Sequence, residues 1–121
     1  MSDISERVFS KTATITYLNT TAKNLFTLPR KAKVLFFLVD VNTAFNDSGT
    51  DLLDIGIPTD AVYFADDVIV SVAGQVMVQQ SNLGDIGNVP RVVQGKYIGQ
   101  NSNATAGSLT VTCVFSHYKS R

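Results

Sequence analysis

Residues 32–45, with the sequence AKVLFFLVDVNTAF, are the stretch that decides the fold of this chain. This is the longest apolar run in the sequence, and it is rich in β-branched and aromatic residues. It ends in a polar turn sequence, NDSG, at residues 46–49. These three features favour a long β-strand over a helix.

Side-chain alternation makes this predicted strand apolar on both faces. One face consists of Leu35, Phe37, Val39 and Val41. The other consists of Val34, Phe36 and Leu38, with Asp40 as its first polar residue. A strand that is apolar on both faces must be covered on both faces. We therefore expect one face to lie in the domain core, and the other to be covered by a long loop or by a second copy of the protein.

The rest of the chain also has the pattern of short strands. About eight strand candidates recur at a spacing of roughly 8–12 residues, and no helical pattern of about ten residues is present. They are residues 11–18, 24–28, 32–45, 51–57, 68–72, 75–79, 91–98 and 109–118. This pattern predicts an all-β fold, a β-sandwich of jelly-roll type with antiparallel strands. An immunoglobulin-like sandwich is the alternative, weakened by the absence of tryptophan and of a cysteine pair.

The predicted connections are short. A Gly-containing turn after the long strand predicts a hairpin with residues 51–57, and residues 99–107 read as a second hairpin loop. Residues 60–65, DAVYFA, are compatible with a single helical turn.

Residues 1–10 are polar and predict an N-terminal arm. Residues 11–121 are sufficient for a single domain with one hydrophobic core.

Composition excludes several classes of partner. Ten basic and ten acidic residues give a formal net charge of zero, which argues against nucleic acid as the main partner. No run approaches the ~18 apolar residues of a membrane helix. The polar start lacks the apolar segment of a secretory signal, so we expect synthesis in a cytoplasm.

The sequence contains one histidine, His117, and one cysteine, Cys113. On one strand face, four residues apart, they would be separated by ~13 Å, too far for a nucleophile and its base. We expect Cys113 to be a small buried core residue, beside Leu109, Val111 and Phe115.

Six aspartates lie in or near predicted turns: Asp47, Asp51, Asp54, Asp60, Asp66 and Asp67. Loop carboxylates can bind Ca²⁺, but the spacing here lacks the alternating acids and the later glutamate of the common calcium loop. Asp and Asn side chains also satisfy turn backbones directly. We therefore expect turn chemistry, with no metal, no cofactor and no enzymatic activity.

Five short motifs run through the middle of the chain. They are LP-x-x-A at residues 28–32, V-x-T-A-F at 41–45, G-T-x-x-L-x-I-G at 49–56, DA-x-x-F-A-D-D-V at 60–68 and AG at 73–74. Together with the closing strand SLTVTCVF they resemble small structural proteins of phage virions, in particular head decoration (cementing) proteins.

This resemblance implies a non-enzymatic capsid decoration subunit, made in the host cytoplasm, that stabilises the capsid exterior by binding between major capsid proteins. It also implies a homotrimer. We expect Val34, Phe36 and Leu38 to lie in or beside the subunit contact, with simple coverage by a loop as the alternative. A tail-fibre or baseplate β module that binds receptor carbohydrate through residues 81–90 and 99–107 is a second hypothesis. A small enzyme that uses the acidic residues of 60–67 is a third.

Overall fold

The computed structural model describes residues 5–78 and 84–119, and in these residues the chain forms strands, turns and loops without a helix. The nine strands of this part of the chain are β1 Ser5–Thr16, β2 Lys23–Leu28, β3 Lys33–Thr43, β4 Asp51–Ile57, β5 Asp60–Ile69, β6 Gly74–Val78, β7 Gly84–Asp85, β8 Arg91–Gly99 and β9 Ser108–Lys119. Nowhere in the described ranges is there a helix long and apolar enough to cross a membrane.

The strands form two antiparallel sheets. The first sheet has the order β1-β9-β3-β6, with β7 also paired to β3, and the second has the order β2-β8-β4-β5. Four strand pairs are nested as in one long hairpin: β1·β9, β2·β8, β3·β6 and β4·β5. Two further ladders, β3·β9 and β4·β8, fold this hairpin into the sandwich. This is jelly-roll connectivity, so the predicted fold class is confirmed.

The two predicted hairpins are wrong. β3 and β4 lie in different sheets, so the segment between them crosses the sandwich, and the segment between β8 and β9 does the same. Each long apolar strand is instead placed between two neighbours in its own sheet: β3 between β9 and β6, and β4 between β8 and β5. In this arrangement both strands satisfy their backbone groups on two sides.

The predicted helical turn at residues 60–65 is also wrong, because these residues are the first half of β5. Ile57 pairs with Asp60 across a two-residue turn, and Phe64 and Ala65 are buried. A ladder with β4 satisfies backbone groups that one isolated helical turn would leave open. Of the predicted N-terminal arm, residues 1–4 lie outside the described residues, and residues 5–10 belong to β1, paired with β9.

A β-bulge changes the two-face prediction for β3. Val34 pairs with Phe115 and Phe36 with Val114, so Leu35 is an extra residue in the ladder. Val34 therefore faces the core at 2% exposure, whereas Leu35, at 40%, faces solvent. Placing Val34 on the face of Phe36 and Leu38, and Leu35 on the face of Phe37, was wrong, because one inserted residue reverses the alternation.

The core lies between the sheets and is closed by aromatic contacts. The ring of Phe37 packs against Phe64 with centroids 5.0 Å apart, and Phe45 packs against Tyr97 at 4.6 Å. The predicted core residues of the closing strand are confirmed as buried: Leu109, Val111, Cys113 and Phe115.

Candidate assembly surfaces

An apolar patch covers part of the outer face of the first sheet. Its members, which we call the outer patch, are Leu35, Phe36, Leu38, Met77 and Val114. The ladders bring them together, because Phe36 lies opposite Val114 and Leu38 lies opposite Met77. Met77 is 58% exposed, and Phe36, Leu38 and Val114 are half-buried although they lie outside the core.

Polar side chains border the outer patch on two sides, and one of them, Asp40, is charged. Thr112 lies opposite Leu38 on β9, and the next row of the sheet contains Gln75, Asp40 and Thr110. An apolar centre with few charges and a polar rim is the composition found in protein–protein interfaces. A surface of this kind is suited to association with another protein.

The three residues expected at a subunit contact are thus separated. Phe36 and Leu38 lie together in the outer patch, and Val34 lies in the core beneath it. The sequence reasoning missed Met77 and Val114. The sequence LTVTCVF at residues 109–115 does indicate Val114: the outward positions of this strand are Thr110, Thr112 and Val114, so the third outward residue is apolar.

At one end of the sandwich, a buried carboxylate joins two loops. Asp47 accepts hydrogen bonds from the backbone N–H groups of Gly49 (2.7 Å), Asn101 (3.0 Å) and Asn103 (3.1 Å). Burial acts to raise the pKa of Asp47, but these amide donors outweigh it and lower the pKa below the ordinary value. This is the turn chemistry expected for Asp47, extended to a second loop.

Side-chain amides reinforce the same junction. Asn46 Oδ1 accepts from the backbone of Thr105 (2.8 Å) and of Ala106 (3.0 Å), and Ser48 N donates to Asn103 Oδ1 at 2.8 Å. Beneath the loops, the Tyr97 hydroxyl donates to the buried carboxylate of Asp51. The loops at 44–50 and 100–107 are therefore held together as one polar unit.

A cavity of about 380 Å³ lies beside this polar unit. Its lining is mixed, with Tyr17, Lys96 and Ser102 on the polar part of its wall and Ile98 and Ala104 on the apolar part. Asp47, the acidic residue of the lining, already accepts backbone hydrogen bonds. Among the described residues of its lining, Asp47 is the single carboxylate, so they do not supply the two carboxylates of an acid–base pair.

Three of the aspartates converge on the outer side of the second sheet. Carboxylate oxygens of Asp54, Asp66 and Asp67 lie within 4.8 Å of one another. Asp54 Oδ1 accepts from the backbone N–H of Asp67 (3.0 Å), which has a left-handed φ of 58°. Partial loss of hydration, followed by the nearby charge of Asp66, raises the pKa of the exposed Asp67. The contact to the Asp67 backbone gives Asp54 a structural role at the β5 edge.

Cys113 and His117 have separate surroundings. Cys113 is fully buried, and burial raises the pKa of its thiol to about 12, so it is not a nucleophile in the folded protein. His117 Nε2 lies 3.1 Å from the carbonyl oxygen of Arg30. The His117 contact joins β9 to the segment between β2 and β3, whereas Cys113 lies in the core, so the two side chains do not form a catalytic pair.

The two loops considered as binding tips lie at opposite ends of the sandwich. Gly84 pairs with Val34 at the start of β3, whereas Ser108, which follows the other loop, pairs with Thr43 at its end. At about 3.3 Å per residue, these ends are ~30 Å apart. The described part of 81–90 therefore does not share one binding site with 99–107.

Comparison with known proteins supplies relatives in fold only. No protein-family model matches the sequence, and no curated protein matches it. A chain of the cyanophage Pam1 capsid asymmetric unit has a TM-score of 0.76 and 15% identity, over 92% of this chain and 85% of that one. A chain of the acidic stable capsid of Helicobacter pylori bacteriophage KHP30 has a TM-score of 0.70 and 14% identity, over 98% and 99%.

A third similar chain belongs to the capsid of Ralstonia phage GP4, with a TM-score of 0.62 and 17% identity, over 98% of this chain and 86% of that one. In all three, the alignment covers most of both chains, so the matched chains have about the length of this one. The jelly roll described above is therefore the fold of whole small chains in three phage capsid structures.

Proposed function

We propose that this chain is a non-enzymatic structural protein of a phage virion. In this proposal it is a capsid decoration subunit on the shell exterior that stabilises the head by binding between major capsid proteins. The observation that carries the proposal is the fold shared, over nearly the whole chain, with chains of similar length in three phage capsids. The motifs of residues 28–74 support the same assignment.

A decoration protein stabilises a shell by burying surface, and this chain offers such a surface. A standard specific interface buries about 1,600 Å² with an apolar centre and a polar rim. The outer patch has that composition. We propose that Phe36 and Leu38 contribute to contacts within a homotrimer, and that the assembled trimer binds the shell.

Shell binding tests the function directly. Capsid shells purified from the source phage without this protein are mixed with increasing amounts of the purified chain and sedimented. Saturable co-sedimentation, with a rise in the temperature at which the shells disrupt, is expected. Shells that neither retain the protein nor become more stable at saturating concentration would contradict the decoration role.

Light scattering across a dilution series tests the trimer. Phe36→Asp should reduce the mass to that of the monomer while the melting temperature changes little, because a charge in an apolar contact is left desolvated. Leu18→Asp is the matched control, since Leu18 is exposed outside the outer patch. A wild-type protein that is monomeric at every concentration, or a Phe36→Asp variant that keeps the trimer, would refute this contact.

A tail-fibre or baseplate module that binds host carbohydrate remains the second candidate. The observation in its favour is the cavity with Tyr17 and Lys96 on its wall, next to two loops held together by Asp47. A glycan array tests it. Binding to a defined glycan, lost in Tyr17→Ala, would favour this role over capsid decoration.

A further inference from the structure

In the described residues, β1 forms one edge of the first sheet, β6 and the two-residue β7 lie along its other edge beside β3, and β2 and β5 are the edges of the second sheet. Edge strands present unpaired backbone N–H and C=O groups, and proteins commonly protect them with charges or bulges. Exposed Arg7 and Lys11 lie on β1, and Lys23 lies on β2. The β2 and β5 ladders also contain register shifts, and β5 contains three exposed acids, Asp60, Asp66 and Asp67.

β6 has neither kind of protection. Its sequence, GQVMV, contains no charge and no proline, and residues 69–73 before it are also uncharged. Its ladder with β3 runs without a register shift from Gly74 to Val78. Val76 is 41% exposed on one side of the strand and Met77 is 58% exposed on the other. Within the described residues, β6 is thus a regular, uncharged and partly apolar edge.

We propose that β6 is the docking edge for an extended segment of the major capsid protein, which adds to the first sheet as a further strand. This inference rests on the proposed decoration function and specifies its mode of binding. The backbone groups of β6 provide the hydrogen bonds of such β-augmentation, and pockets for alternate side chains provide its selectivity.

The geometry of β6 defines the chemistry of the added strand. On the outer face, its side chains meet Met77 at the border of the outer patch, and on the inner side they meet Val76. Apolar residues are therefore favoured on both sides of the added strand, and a charge beside β6 would be desolvated without a partner. The segment is an uncharged, β-branched or aromatic strand of about five residues, the length of β6.

A second copy of this chain is the competing occupant. Pairing of β6 with β6 of another copy is an isologous contact, which creates a twofold axis. The proposed trimer has a threefold axis, so its subunits do not pair in this way. Within one such trimer, the β6 edge of each subunit is therefore open to a strand from a different protein.

Hydrogen–deuterium exchange on the wild-type protein, alone and bound to source-phage shells, provides the first test. In an antiparallel ladder, alternate N–H groups of β6 point toward β3 and the others point outward. The outward amides of residues 74–78 should exchange at least about tenfold more slowly in the bound state, the factor for about 1.4 kcal/mol. Unchanged exchange in shell-bound protein would overturn the inference.

Two adjacent proline variants, Gln75→Pro and Val76→Pro, provide the second test, because only one of the two N–H groups points outward. The variant that loses the outward N–H should keep its melting temperature and bind shells about tenfold more weakly. Wild-type affinity in that variant would overturn the inference. If neither proline variant folds, the exchange experiment on the wild-type protein alone tests the inference.

The outcomes separate this inference from the proposed function. Wild-type protein that does not bind shells contradicts the decoration role itself. Wild-type protein that binds shells while β6 stays unprotected contradicts only the docking edge. A twofold dimer in solution, with β6 protected in the absence of shells, would assign the edge to a second copy instead.

Discussion

The variant Tyr97→Phe removes one buried hydroxyl and should measure how much the Tyr97–Asp51 hydrogen bond contributes to the free energy of unfolding. Tyr97 is 2% exposed and Asp51 is 3% exposed, so their hydrogen bond is shielded from water. A hydrogen bond to a charged group contributes about 1.5–3 kcal/mol. In the variant, Asp51 Oδ1 still accepts a hydrogen bond from the backbone N–H of Asp47 (3.0 Å), so the Asp51 carboxylate is not left without a donor. We therefore expect the free energy of unfolding to fall by about 2 kcal/mol.

For a domain of this size, that loss corresponds to a melting temperature lower by about 8 °C. Thermal unfolding followed by circular dichroism measures it, with Tyr17→Phe, at a half-buried tyrosine of the adjacent cavity, as the control. The phenylalanine keeps the ring contact with Phe45, so packing is preserved. Equal melting temperatures for the two variants would refute the idea that the Tyr97–Asp51 contact stabilises this end.

Three further predictions concern titratable side chains. Cys113 should react with a thiol reagent only at the rate of unfolding, since it is buried and its pKa is raised to about 12; fast labelling of native protein would contradict this. Asp67→Asn should raise the melting temperature at pH 7. The folded state raises the pKa of Asp67 above 3.8, so the stability of the protein falls as pH rises through that pKa. Asparagine has no charge and tolerates the φ of 58°, so the variant avoids this loss of stability. The gain should vanish in melts at about pH 2, below both the folded and the unfolded pKa. Millimolar calcium or a chelator should leave the wild-type melting temperature unchanged, and a shift would indicate a metal site at the Asp54, Asp66 and Asp67 cluster.

The parts of the fold that depend on side-chain period were predictable. Alternation in the closing strand identified Leu109, Val111, Cys113 and Phe115 as core, because a one-sided strand has only one way to bury its apolar face. The number and spacing of strands likewise indicated a jelly-roll sandwich. These inferences use only local information, and the local preference agrees with the tertiary structure.

The parts that depend on strand pairing were not predictable in the same way. A turn sequence such as NDSG fits a hairpin and equally fits a crossover between sheets, and only the positions of β8 and β9 decide between them. The bulge at Leu35 leaves no mark in an uninterrupted apolar run, so Val34 was assigned to the wrong face. The structure places Phe36 and Leu38 on one outer face with Met77 from β6, and the subunit contact there stays a prediction.

Net charge alone would suggest that electrostatics has little influence on this protein, but the distribution of charge indicates otherwise. Ten basic and ten acidic residues cancel in the chain, yet in the described residues charged side chains lie on the edge strands β1, β2 and β5 and are absent from β6. A charged edge resists the addition of a foreign strand, because pairing would desolvate the charge. In the proposed binding mode, the added strand therefore pairs with the uncharged β6. Since β6 borders the outer patch through Met77 and Leu38, the unprotected edge and the apolar face form one continuous surface.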